Sequence, residues 1–317
     1  MEYILNKTPI RTTNNFKIND FKIDLDIIKT KFKDFKTKNI SINTRIEKNF
    51  ESRIGLQDDK YLYVDVFNDN EVGYLEYDFD NDYLTSLINV NANDLIIIFK
   101  GDNAFLNTNI VINKAKTVSI INLTSKDSKS FISIENKTNS IVNFIELGGK
   151  IKVSNYYSII NNENGINTFN SIYIGKEDEV LDLNYYIGFN NKNTKGSINV
   201  EGVLLDNARK SFKGTIDFYE GSKGSSGDEL ENVVLLSDNA ISRSLPMLLC
   251  HEEDVSGSHS VSKGKIDEDK LFYLMSRGLN EKESKKMIIL SNFNKILDNI
   301  IDINLKNELI EEITKRL

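Results

Sequence analysis

The sequence predicts a mainly β protein that ends in a small helical domain. Three observations carry this. Short β-branched or aromatic runs follow one another from about Tyr61 to Leu249, Pro is missing from that interval until Pro246, and the spacing of apolar residues turns helical after Lys263. The series opens with YLYVDVF at Tyr61 and continues through LIIIF, NIVIN, VSIINL, FISI, IVNFIEL and KIKVS to INTFNSIYI, GSINVEGVLL and GTIDFY. Each run is a few residues long and is bounded by Asn, Asp, Gly or Ser. Without Pro, each can donate to ladders on both edges. Asn in nearly every turn fits positions that need left-handed or Asx-type geometry, although a low-GC genome would enrich Asn and Lys as well. IVNFIEL and SIYIG are too continuously apolar for a one-sided sheet and too short for helices, so they read as strands buried on at least one dense face. That leaves a sandwich, a barrel or a solenoid, and no strict internal period decides between them.

In the tail, KIDEDKLFYLMSRG places Asp267 as an N-cap, Glu268 and Asp269 in the first turn, and Gly278 just past the last helical residue. Asn280 with Glu283 forms a capping-box variant for a second helix carrying Ile289, Leu290, Phe293, Ile296, Leu297 and Ile300. A third helix carries Leu305, Leu309, Ile310, Ile313 and Leu317. A tail of this size has too little core to stand alone and must pack on the β body or on a partner. The expected division is an N-terminal mixed segment (1–55), a β core (56–262) and a helical domain (263–317).

The 317 residues suffice to bury a core without disulfides, and 39% hydrophobic with 27% charged residues of interspersed sign describe a globular chain. A net charge of −7 argues against nucleic-acid binding, which needs a concentrated Lys/Arg excess. The basic run KTKFKDFKTK, Lys29 to Lys38, is a local exception that reads as a solvated face. One cysteine cannot form an intramolecular disulfide, the N-terminus shows no cleavable leader pattern, and the longest aliphatic run, LIIIF, is too short to span a bilayer. The expectation is a cytoplasmic protein without membrane association.

The only cysteine and both histidines fall within CHEEDVSGSHSVSKG, Cys250 to Gly264. A closed zinc site needs four N/S ligands, and His251-Glu252 lacks the second His of the zinc-protease helix. If LLCHEEDV is a strand, Cys250, Glu252 and Asp254 share one face and His251 the other, which keeps Cys250 and His251 from meeting as a catalytic pair. Gly257 is expected to reset the register before His259. Cys250 reads as a small core residue. GSKGSSG, Gly221 to Gly227, lacks the ending of a phosphate-binding loop and reads as a turn between strands.

The last hundred residues carry a resemblance. Lys213-Gly214-Thr215-Ile216, the Leu235-Leu236-Ser237 strand, Pro246 opening the next strand, Asp254-Val255 followed by Ser258-His259, and above all DEDKLFYLMSRG, Asp267 to Gly278, resemble the C-terminal core of the SufB/SufD family of iron–sulfur cluster assembly proteins. The opening TPIRTTNNFKIND is similar to the short N-terminus of compact SufD-like members. The resemblance implies a right-handed parallel β-helix body and a C-terminal helical domain that docks on the ABC-type ATPase SufC, through Asp267, Leu271, Phe272, Tyr273, Ser276, Arg277 and Gly278. It implies a non-enzymatic subunit that pairs with SufB through the β-helix; a homodimer is open to the chain in isolation, and the preference between the two is not decided by the sequence. SufB-type chains carry a reactive Cys in the strand before the Pro-led one. Here ELENVVLLSD has none and His259 is followed by Ser260, so the chain is closer to the SufD pattern. His259 is then the residue related to iron or the cluster, with Cys250, His251, Glu252 and Asp254 as weaker candidates. The iron–sulfur cluster itself is transient and shared with the partner, and a flavin belongs to the complex if to any part of it. Readings from other classes are a β-helix protein that binds or cleaves polysaccharide, and a structural homo-oligomer of a degenerate SufB-like scaffold.

Overall fold

The computed structural model describes residues 2–12, 18–25, 33–68, 71–125 and 127–317. Its body is a β-solenoid of about 7 turns, mainly parallel, which settles the choice among sandwich, barrel and solenoid. A short antiparallel hairpin, β1 (Glu2–Leu5) with β2 (Phe21–Asp24), precedes it. The strands then fall into two nine-stranded sheets, alternating between them from β5 onward. One holds β3 (Lys36–Lys38), β6 (Gly73–Asp80), β8 (Asp94–Asp102), β10 (Thr117–Ser125), β12 (Ile141–Glu146), β14 (Ile166–Gly175), β16 (Lys195–Leu204), β18 (Ser225–Leu235) and β20 (Val255–Gly264). The other holds β4 (Ser41–Glu51), β5 (Gln57–Asn68), β7 (Tyr83–Ala92), β9 (Phe105–Lys114), β11 (Lys129–Asn136), β13 (Ile151–Ile160), β15 (Val180–Phe189), β17 (Arg209–Phe218) and β19 (Ile241–Cys250). We call them the β20 sheet and the β19 sheet.

Among the described residues the coil-to-coil ladders are parallel, and the antiparallel pairs, β1 with β2, β3 with β6 and β4 with β5, all lie at the N-terminal end. The coil is not of constant length. Gly73 faces Leu95, 22 residues on, whereas Arg209 faces Ile241, 32 residues on. The extra residues enter at the corners, so the sequence shows no fixed period although the architecture repeats. Corner residues supply left-handed geometry: Asn81 and Asn103, like Asn164 and Asn193, have positive φ at equivalent positions of successive coils. The Asn-rich turns thus have a conformational cause, since Asn tolerates that region better than other non-glycine residues.

Three apolar layers hold the molecule. Inside the solenoid, side chains of both sheets stack coil on coil, with ring pairs such as Tyr156–Phe169 at 4.0 Å and Phe189–Phe218 at 4.5 Å between centroids. On the outer face of the β20 sheet, Ile121, Ile145, Ile172, Ile174 and Val203 meet the helical tail. On the outer face of the β19 sheet, Tyr83, Phe105, Phe131 and Val153 meet Leu5, Leu25, Ile54 and Leu56 from the N-terminal segment. Strands covered on both faces explain the uninterrupted apolar runs of IVNFIEL and SIYIG.

The tail forms α1 (Glu268–Ser276), α2 (Glu281–Leu297) and α3 (Ile303–Arg316). The caps are those read from the sequence: the Asp267 side chain accepts from Lys270 N, Asn280 and Glu283 make a full capping box, and Gly278 has φ +99°. Ile289, Phe293, Ile296, Leu297, Leu305, Leu309 and Ile313 of α2 and α3 are buried against the sheet. Helix α1 has no buried residue.

Several expectations need correction. Pro246 does not open its strand; β19 begins at Ile241, and Pro is tolerated inside it because β19 is an edge strand with a ladder on one side only. LLCHEEDV is not one strand: β19 stops at Cys250, and a turn precedes β20. Gly257 does not reset the register, which runs unbroken from Ser225↔Val255 to Val234↔Gly264. Cys250 is exposed rather than core, because it ends the last strand of its sheet and, among the described residues, no further coil covers it. The basic run at Lys29 to Lys38 falls partly outside the described residues; its end, Lys36–Lys38, is the exposed strand β3.

Candidate functional site

The C-terminal coil is open. β19 and β20 are the last strands of their sheets, each hydrogen-bonded on one side only, and His259 lies exposed in β20. Its direction follows from Gly257, two residues earlier: a Cβ there would lie 2.7 Å from Leu248 Cδ1 and 3.0 Å from Phe218 Cε2, both on the opposite sheet. Residues of that parity therefore point into the lumen, and His259 stands at its mouth.

Directly beneath His259 in the ladder is Glu229, which is 1% exposed. Its carboxyl occupies the space left by Gly214 of β17, where a Cβ would come within 2.3 Å of Glu229 Cδ. Among the described residues neither carboxyl oxygen has a hydrogen-bond partner. Burial, and secondarily the neighbouring Glu231, push Glu229 up to about 8, against the opposing pull of Lys210. Next to it, Lys210 Nζ is ion-paired with Glu231 Oε1, Ser244 Oγ donates to Glu231 Oε2 at 2.5 Å, and Tyr173 Oη donates to Glu231 Oε1 at 3.2 Å. Burial lowers the Lys210 ammonium although Glu231 pulls the other way. The lumen end is thus a compact polar group, satisfied around Glu231 and unsatisfied at Glu229, with an imidazole above it.

The weaker candidates do not join this group. His251 Nε2 lies 3.9 Å from Asp217 Oδ1 on the outside of the β19 sheet. Glu252 Oε2 accepts from Gly221 N at 3.0 Å and the Asp254 carbonyl accepts from Gly224 N at 2.7 Å, so both tie the last turn to the GSKGSSG turn below it. Among the described residues, no three His, Cys, Asp or Glu side chains are grouped so as to hold a metal ion. Glu229, Glu231 and Lys210 were missed by sequence reasoning. Their signal was parity, since Gly227, Glu229, Glu231 and Val233 lie on one face of β18, but charged residues alternating with Leu and Asn read equally well as solvent-facing.

The second candidate surface is α1. Phe272 is 74% exposed, Tyr273 57% and Met275 42%, three large apolar or aromatic side chains on one nine-residue helix. Arg277 sits over the Tyr273 ring at 5.3 Å, and Ser276 Oγ donates to Tyr273 O. Leu271 turns the other way and packs toward the sheet–helix layer. A cleft of about 500 Å³ between α1 and α2 is lined by Tyr273, Leu274, Met287 and Ile288.

Residues 64–292 match the family profile described as the SUF system FeS cluster assembly, SufBD core domain. The chain is 29% identical over 175 residues to the iron–sulfur cluster assembly protein SufD of Escherichia coli, covering 54% of this chain and 40% of that one. It is 26% identical over 147 residues to SufD of Bacillus subtilis, covering 46% and 34%. An iron–sulfur cluster assembly SufBD family protein of Pyrococcus horikoshii is 31% identical over 127 residues, covering 40% and 28%. The matched part therefore spans less than half of each of these relatives.

Proposed function

We propose, on the premise that this chain belongs to the SufBD family of iron–sulfur cluster assembly proteins and is a SufD-like member, that it is a non-catalytic subunit of a SufBCD-type complex in the cytoplasm. In this reading the open β19/β20 edge pairs with a SufB-type subunit, α1 docks on a SufC-type ATPase, and ATP hydrolysis by that ATPase opens the subunit junction. The cluster is cargo. A single exposed cysteine and His259 do not make a ligand set for iron–sulfur chemistry, which is built mainly on thiolates, so the partner supplies the thiolates and His259 contributes from the junction.

The observation that carries this reading is the open terminal coil, with two strand edges free to pair and His259 between them. Exposed edges are ready templates for another chain. Helix α1 supports the second contact, since its apolar face is left uncovered while α2 and α3 are covered by their own sheet. No helix among the described residues is long and apolar enough to cross a membrane.

Co-expression with SufB-type and SufC-type subunits followed by size determination tests the proposal. The expected result is one complex holding all three. Phe272→Ala/Tyr273→Ala should lose the ATPase while keeping the SufB-type partner, and His259→Ala should keep both but lose cluster assembly. A chain that forms only homo-oligomers in the presence of both partners favours the structural-scaffold reading instead, and an α1 variant that still captures the ATPase removes the docking assignment.

A further inference from the structure

A cavity of about 600 Å³ lies where the N-terminal segment meets the outer face of the β19 sheet. Its floor is the beginning of three adjacent parallel strands. Val180, Arg209 and Ile241 form one rung, and Asp182, Ser211 and Arg243 the next. The opposite wall is Arg11, Asp20, Phe21 and Lys22.

Five basic residues line this cavity in a protein of net charge −7; of these Lys210 carries its ammonium to Glu231, leaving Arg11, Lys22, Arg209 and Arg243. The neighbouring acids are already engaged: Asp20 lies 3.8 Å from Arg11, and Asp182 Oδ1 accepts from Lys213 Nζ at 2.5 Å and from Asn6 Nδ2 at 2.7 Å. Among the described residues Lys22, Arg209 and Arg243 have no ion-pair partner. Arg209 and Arg243 are diagonal neighbours on one sheet face, with Cα atoms roughly 8 Å apart from strand spacing and rise. Two unpaired like charges on neighbouring rungs of one face favour an anion between them, and the planar guanidinium forks suit paired hydrogen bonds to phosphate oxygens. The apolar part of the lining, Phe21 with Val180, Leu181 and Ile241, offers surface on which a ring can pack.

We propose that this cavity binds a small phosphorylated molecule with a flat apolar body, by chemical class a mononucleotide. Arg209 and Arg243 hold the phosphates, Lys22 adds a third positive charge, and Phe21 packs on the ring. The cavity has the size of a single-ligand site. A polynucleotide is disfavoured by the overall negative charge. The site lies on the other sheet from α1 and outside the lumen, so the inference does not rest on the assembly role.

Isothermal titration calorimetry on the purified full chain tests it with ADP, pyrophosphate and adenosine as separate probes. ADP should bind, pyrophosphate about tenfold more weakly, and adenosine more weakly still. Arg209→Gln/Arg243→Gln should lower ADP affinity at least about tenfold, with an unchanged thermal melt because both side chains lie outside the core. Phe21→Ala should weaken ADP and leave pyrophosphate unchanged. Absence of ADP binding at millimolar concentration, or full affinity in the double arginine variant, overturns the site. Pyrophosphate binding as tightly as ADP overturns the assignment of an apolar body.

Discussion

Replacing Glu229 by Gln should make the protein more stable, by a margin that opens above about pH 5 and widens up to about pH 8. The carboxyl titrates at about 8 in the folded protein against 4.5 when free, because it is buried without a hydrogen-bond partner and beside Glu231. The folded state therefore binds more protons than the unfolded state between these two values, and stability falls as pH rises through that window. At 1.36 kcal/mol for each pKa unit, the loss between pH 5 and pH 8 is about 3–4 kcal/mol from this residue alone. Gln keeps the shape and carries no charge, so the variant should match the wild type near pH 5 and exceed it by up to that amount at pH 8. Urea unfolding followed by far-UV circular dichroism at pH 5, 6.5 and 8 measures the difference directly. Glu146, also buried and pushed up to about 8, gives the wild type a slope of the same sign, so the informative quantity is the gap between the two proteins. A gap that is the same at every pH would refute the claim that Glu229 is an unpaired buried carboxyl.

Two further outcomes follow from the packing. Phe293→Ala, which empties a fully covered position between α2 and the β20 sheet, should cost about 3–5 kcal/mol in denaturant unfolding. Gly214→Ala should cost about 1–3 kcal/mol, since the new methyl meets the Glu229 carboxyl, and much less in a Glu229→Ala background. Equal costs in both backgrounds would place the clash elsewhere.

Many of the strands and the helical tail were legible because their signals are local, whereas β4, β6, β7 and β15, richer in charged and polar residues or lying outside the read interval, are not among the runs read as strands. The runs from YLYVDVF to GTIDFY, the Asp267 cap and the Asn280–Glu283 box are each decided within a few residues, and each is where the structure has it. The choice of solenoid came from the family resemblance and not from a period, because corner insertions lengthen the coil from 22 residues at Gly73 to 32 at Arg209. What failed was anything that depended on position in the stack. Cys250 has the composition of a core residue and the parity of one, since its rung partner Phe218 is buried, yet it is exposed because the stack ends there. Glu229 and Lys210 went unread in the sequence because nothing local separates a charged side chain in a solvated strand from one that the next coil closes over. His259 was singled out by resemblance, and its place above Glu229 needed the ladder register. The burial of the helix residues shows that the tail divides in two, with α2 and α3 covered by the sheet and α1 left open.

The two ends of the stack are unlike, and this limits what the molecule can build. At the first coil the outermost strands are β3, three residues long and carrying two lysines, and β4, which runs against its neighbour and displays Arg45, Glu47 and Lys48. Short, charged and reversed borders of this kind repel a further strand. The last coil ends instead in VSGSHSVSKG and ISRSLPMLLC, with few charges. Front-to-back stacking, the arrangement that grows into fibres, is thereby disfavoured. Joining last coil to last coil uses up both receptive borders at once, so a union made there is complete at two members.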